Sequence, residues 1–135
     1  MKIVATILMI VLAVLASGCT TPAPASTPVL SGTWTGTMQG YEEGIGFTDY
    51  NKSTITMVIT EQQGRLFAGY LTFGTNTTRK LPIAGVISRD GRTFALVEDV
   101  NGYTTGEIIG DSEIQLTHVD DSQPYSVALD TLKKG

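Results

Sequence analysis

The chain has 135 residues, 15 of them glycine, with one cysteine, one histidine and one tryptophan. Its 9 Lys and Arg against 13 Asp and Glu give a formal net charge of −4 at pH 7, and the only basic clusters are the pairs Arg79-Lys80 and Lys133-Lys134. This balance argues against nucleic-acid binding and against electrostatic docking on anionic headgroups. A lone cysteine excludes an intrachain disulfide framework, and the length allows a single core.

In chain order, Met1-Lys2 is a short positive start, Ile3 to Leu15 is apolar apart from Thr6, and Ala16-Ser17-Gly18 are small. That is the layout of a secretory signal peptide over 1–18. The apolar run is shorter than the roughly 20 residues a spanning helix needs. Leu15-Ala16-Ser17-Gly18-Cys19 resembles the lipobox of prokaryotic lipoproteins. The resemblance implies that the Cys19 thiol takes a diacylglycerol and that cleavage makes Cys19 the first mature residue. The protein would then be extracytoplasmic and anchored to the membrane of the cell envelope. Ala16 departs from the leucine most often found there. An ordinary signal peptide with an incidental cysteine and a helical membrane anchor are the alternatives. Thr20 to Pro28 reads TTPAPASTP, uncharged and with three prolines. Such a tract cannot bury a core and favours polyproline II geometry, so 19–29 is expected to be a disordered tether of about 30 Å. Losing Lys2 with the leader leaves 8 basic against 13 acidic residues, a net charge of about −5.

Residues 30–135 show a period of two. Ile55, Met57 and Ile59 alternate with Thr54, Thr56, Val58 and Thr60; Ile114 and Leu116 alternate with Glu113, Gln115 and Thr117. Tyr125, Val127 and Leu129 alternate with Ser126, Ala128 and Asp130. Each pattern predicts a half-buried antiparallel strand with its apolar set facing the core. Gln62-Gln63-Gly64, Asp90-Gly91, Asn101-Gly102, Gly110-Asp111 and Asp120-Asp121 read as turns,. The spacing predicts eight strands, at about 32–39, 53–61, 65–74, 78–88, 93–99, 103–109, 112–119 and 124–132,. A hairpin-linked all-β meander of this size removes its edges by closing into an antiparallel up-and-down β-barrel. A two-sheet β-sandwich is the alternative.

Gly32-Thr33-Trp34 on the first strand resembles the G-x-W opening of the calycin superfamily, which includes the lipocalins, fatty-acid-binding proteins and avidins. Residues 60–69, with Gly64 in the turn and Phe67-Ala68-Gly69 after it, are similar to a calycin hairpin. The resemblance implies a calycin-like barrel over 31–132 with Trp34 closing one end. Lipocalins pair that Trp with a late basic residue, and here Lys133 and Lys134 stand at the end of the chain. Avidin's biotin contacts have no counterpart.

His118 follows Ile114 and Leu116 on one face, near Asp120-Asp121, and reads as a rim residue. With no second histidine and no G-x-S-x-G elbow, no catalytic triad is expected. No metal site and no cofactor are expected either. Glu98 continues the Phe94–Leu96 face; it sits at an open end or turns inward, where a carboxylate could orient a polar or cationic ligand. Gly40 to Lys52, GYEEGIGFTDYNK, reads as a lid loop with Tyr41, Ile45, Phe47 and Tyr50 as its contacts,. Asn51-Lys52-Ser53 and Asn76-Thr77-Thr78 match the glycosylation pattern,. The expectation is therefore a non-enzymatic, lipid-anchored barrel. It would bind a small apolar or amphipathic ligand through Trp34, Tyr41, Ile45, Phe47, Tyr50 and Phe73. The alternative is a solid barrel that serves as a structural or interaction protein and binds an envelope protein.

Overall fold

The computed structural model describes residues 26–74, 76–99 and 102–135. The expected leader and the lipidation position Cys19 lie outside them.

Nine strands run antiparallel in chain order: β1 (Gly32–Glu42), β2 (Gly46–Thr48), β3 (Thr54–Gln63), β4 (Leu66–Phe73), β5 (Asn76–Ile87), β6 (Thr93–Glu98), β7 (Tyr103–Ile108), β8 (Glu113–Asp120) and β9 (Ser126–Lys134). Each pairs with its sequence neighbour from β3 to β9, and β1 pairs with β3 on one side and β9 on the other. The β1–β9 ladder runs from Trp34 opposite Lys134 to Glu42 opposite Ser126, which closes eight strands into a barrel and excludes the sandwich,. All eight predicted strands are present. The ninth, β2, falls inside the predicted loop. It forms a short hairpin with the far end of β1, with Tyr41 opposite Phe47 and Glu42 opposite Gly46.

Inward residues alternate along every strand. Trp34, Ile55, Met57, Ile59, Phe67, Leu71, Ile83, Ile87, Phe94, Leu96, Ile114, Leu116 and Leu132 join Leu30 in one buried core. The phase of β9 is the reverse of that expected. Asp130 and Leu132 are buried, while Tyr125, Val127 and Leu129 face outward and are exposed. The cause is closure: the register that places Gly36 of β1 against Leu132, and Met38 against Asp130, sets which face of β9 turns inward,.

The barrel is plugged at one end. Trp34 is 1% exposed and donates its indole N–H to the Leu30 carbonyl at 2.8 Å. Leu30 N donates to Gln62 Oε1, and Gln62 Nε2 donates to the Pro28 carbonyl, both at 2.8 Å. The entering chain is thereby laid across the base. Lys134 Nζ lies 5.1 Å from the Trp34 ring centroid, within cation–π reach of its face,. Phe67 and Phe94 meet edge to face, with centroids 5.6 Å apart,. Each ring lies over a glycine on the next strand. A Cβ at Gly85 would stand 2.2 Å from Phe67 Cζ, and one at Gly106 would stand 2.0 Å from Phe94 Cζ. Glycine is required there by the space the rings occupy.

Candidate functional site

The other end is hollow. Above Ile55, Leu71 and Leu116 lies a cavity of about 480 Å³. Met38, Phe73 and Leu81 continue its apolar wall, Arg79 stands at its exposed margin, and Glu98, Thr104, His118 and Asp130 form a polar patch.

The patch is built by four consecutive strands. Glu98 ends β6 in phase with Phe94 and Leu96. Thr104, the second residue of β7, lies directly opposite His118 of β8, and His118 is opposite Ala128 of β9, one inward step from Asp130. His118 Nδ1 lies 3.2 Å from Glu98 Oε1 and 2.9 Å from Thr104 Oγ1. The Thr104 hydroxyl donates to Glu98 Oε1. Its proton is thereby committed, so Nδ1–H of His118 is the donor to both oxygens. The Glu98 side chain is 4% exposed and that of His118 is 21% exposed, so the pair is shielded from solvent.

The electrostatics follow from this arrangement. Burial pushes the Glu98 carboxyl up, but the hydrogen bonds from His118 and Thr104 outweigh it and hold the group below its ordinary value,. The hydrogen bond to Glu98 raises His118 against the opposing effect of burial, and the charges of Glu98, Asp120 and Asp130 add to the rise. Each group thus stabilises the charged form of the other. Asp130 differs. It is 3% exposed, and burial pushes its carboxyl up to about 6. Among the described residues, its Oδ1 is the buried side-chain atom with no hydrogen-bond partner.

The predicted site residues separate. Tyr50 and Phe73 line the cavity. Trp34 does not; it belongs to the plug at the opposite end. Phe47 is 91% exposed and packs edge to face on Tyr41 at 5.4 Å, and Tyr41 stacks on Tyr125 at 6.3 Å, all on the outer wall. Ile45 is exposed but lines a second hollow, also about 480 Å³, between the β1–β2 hairpin and Ser53. From the expected lid, the residue that reaches the cavity is Tyr50. It opens a short 3-10 turn, Tyr50–Lys52, whose three residues all have positive φ, at 50°, 56° and 57°. Non-glycine residues rarely adopt that conformation, and each costs roughly 1–2 kcal/mol. Thr48 Oγ1 accepts from Tyr50 N at 2.9 Å and Asp49 Oδ1 accepts from Asn51 N at 3.1 Å, which holds the turn. Its result is a phenol beside Gly40, where a Cβ would come within 2.9 Å of the Tyr50 hydroxyl oxygen. Burial, Glu42 and Asp130 raise the Tyr50 pKa, so the phenol stays protonated.

Asn51 of the glycosylation pattern is exposed in this turn, whereas the side chain of Asn76 lies outside the described residues. His118 is not the rim residue expected, because Glu98 and Thr104 draw it into the wall. Thr104 and Asp130 were not predicted at all. Thr104 carried no distinguishing signal, and Asp130 was hidden by the reversed phase of β9.

Among the described residues, no group of three or more His, Cys, Asp or Glu side chains could hold a metal ion. None of their helices is long and apolar enough to cross a membrane. Comparison with models of known protein families returns no match, and no curated protein matches the chain.

Proposed function

We propose that the chain is a lipid-anchored binding protein of the cell envelope whose barrel holds a small amphipathic ligand in its open end. The observation that carries this reading is the cavity, with apolar walls and one convergent polar patch. Its volume of about 480 Å³ falls within the roughly 300–1,000 Å³ of small-molecule sites,. At about 30 Å³ per water-sized volume it takes on the order of 15 non-hydrogen atoms. Apolar contact with Met38, Leu71, Phe73 and Leu81 supplies affinity at about 25 cal/mol per Å² buried, and the polar patch orients the head group. Glu98 and Thr104 hold Nδ1 of the single histidine, which fixes the imidazole in the cavity wall. The anchor rests on the lipobox resemblance at Leu15–Cys19.

Native mass spectrometry of the full chain from its host's membrane fraction tests both parts. A non-covalent mass that leaves on denaturation, and is absent from Ala128→Trp, supports a ligand in the cavity. A covalent diacylglycerol mass absent from Cys19→Ala supports the anchor. Bare protein in both forms sinks the reading.

One observation favours a second reading, a protein partner on the outer wall. Phe47, Tyr41, Val127, Val119 and Tyr103 are successive cross-strand neighbours on the outside of the barrel. Phe47, Val127 and Tyr103 in this row are exposed. A partner held there is lost in Phe47→Asp with the cavity ligand retained.

A further inference from the structure

We propose that the ligand's polar head is a protonated amine and that Asp130 receives it. This rests on the reading of the cavity as a site for a small amphipath, and it names the ligand's chemistry.

The argument starts from what is already satisfied. Glu98 Oε1 already accepts from His118 and from Thr104, and the Thr104 proton is spent on Glu98. A ligand gains little by intruding on them. Asp130 is buried, lines the same cavity and has an oxygen with no partner. Its cross-strand neighbours are apolar, Leu116 on β8 and Met38 on β1. The titratable and charged groups that line the cavity with it are His118 from β8, Glu98 from β6, Tyr50 from the turn and Arg79 from β5. None of them bonds the free oxygen. Buried polar atoms are nearly always hydrogen-bonded, and exceptions cluster where something else supplies the partner.

An ionised carboxylate only accepts hydrogen bonds, so the missing group is a donor. An alcohol would meet the hydrogen bond and leave the charge uncompensated. A carboxylate or phosphate would be repelled by it. An ammonium meets both needs in one charge-assisted contact. Because Asp130 sits between Leu116 and Met38, the carbon body of such an amine would lie along the apolar wall toward Phe73.

The test uses the full chain in phosphatidylcholine nanodiscs at pH 8, with protein-free discs as the blank. Hexylammonium, 1-hexanol and hexanoate share one carbon body and differ in the head. Calorimetry is expected to show hexylammonium binding about ten- to a hundredfold more tightly than the other two. Asp130→Asn is expected to remove that preference, so that hexylammonium binds the variant no more tightly than 1-hexanol does. Equal or tighter binding of 1-hexanol or hexanoate overturns the amine assignment and leaves the amphipath reading standing. Binding of none of the three overturns both. Should Asp130→Asn lose its fold, the ¹³C carboxyl shift of Asp130 in the unaltered chain at pH 6 decides. Movement to the ionised value with hexylammonium, and not with 1-hexanol, supports the proposal. Movement with neither overturns it.

Discussion

The two ends of the barrel are built by the same eight strands with the same inward alternation, yet one is solid and the other hollow. At the plugged end the inward positions are Trp34, Phe67, Phe94, Ile87, Ile114 and Leu132, all buried. Glycines at 85 and 106 let the two phenylalanines lie flat against the wall. At the hollow end the same strands turn in Met38, Glu98, Thr104, His118, Ser126, Ala128 and Asp130. Those side chains are smaller or polar, and they do not meet across the axis. The large aromatic groups of the interior are thus concentrated at one end. Stability is vested there, which leaves the other end free to carry an unsatisfied carboxylate.

That division can be broken from either side. The largest effect is expected at the plug. Trp34→Ala removes the biggest buried side chain and orphans the Leu30 carbonyl, so chemical denaturation should show a loss of about 3–5 kcal/mol,. An equally large loss from truncating Phe73 at the hollow end would erase the distinction.

The next largest effect has the opposite sign. The Asp130 carboxyl rises from 3.8 to about 6 on folding, so protonation favours the folded state,. The penalty for ionising it is absent below pH 3.8, grows as pH climbs toward 6 and is constant above that. A shift of this size corresponds to on the order of 3 kcal/mol. Asp130→Asn should therefore be more stable than the parent at pH 8, and the gain should shrink toward zero at pH 4. A destabilised variant at pH 8 would show that the carboxylate has a partner.

A smaller effect concerns the Glu98–His118 pair. Glu98 is lowered, so its contribution is present above its unfolded value and lost as pH falls through the folded one,. His118 is raised, so its contribution is complete below pH 6.5 and lost as pH rises through the folded value,. Glu98→Gln should lower the His118 titration midpoint seen by NMR. An unchanged midpoint would detach the two residues. The smallest effect is expected at Phe47→Ser on the outer wall, within about 0.5 kcal/mol, because the ring is already 91% exposed,.

The strands were legible because period-two alternation and glycine turns are local signals. Closure was legible because an open meander leaves edges to hide. The phase of β9 was not, since its local pattern points the wrong way: Val127 and Leu129 are apolar but outward, and Asp130 is polar but inward. Only the pairing with β1 decides that, and pairing is not written in β9. Glu98 and His118 each extend a correctly read apolar face, so their inward direction could be extrapolated. That they meet, with Thr104 between them, depends on the β6–β7–β8 register. The lid failed in part for a similar reason. The hairpin of β1 and β2 places Phe47 beside Tyr41 on the outside, and a left-handed turn carries Tyr50 to the mouth instead.

The base of the barrel is where Val29 meets Lys134, whose Nζ donates to the Val29 carbonyl at 3.2 Å. Both described ends of the chain thus leave from the plug, and the cavity opens at the opposite pole. Anything that grips the molecule through its N-terminal segment holds it as a cup is held by its foot. Whatever takes hold there meets the plug, and the mouth of the cavity is left unobstructed.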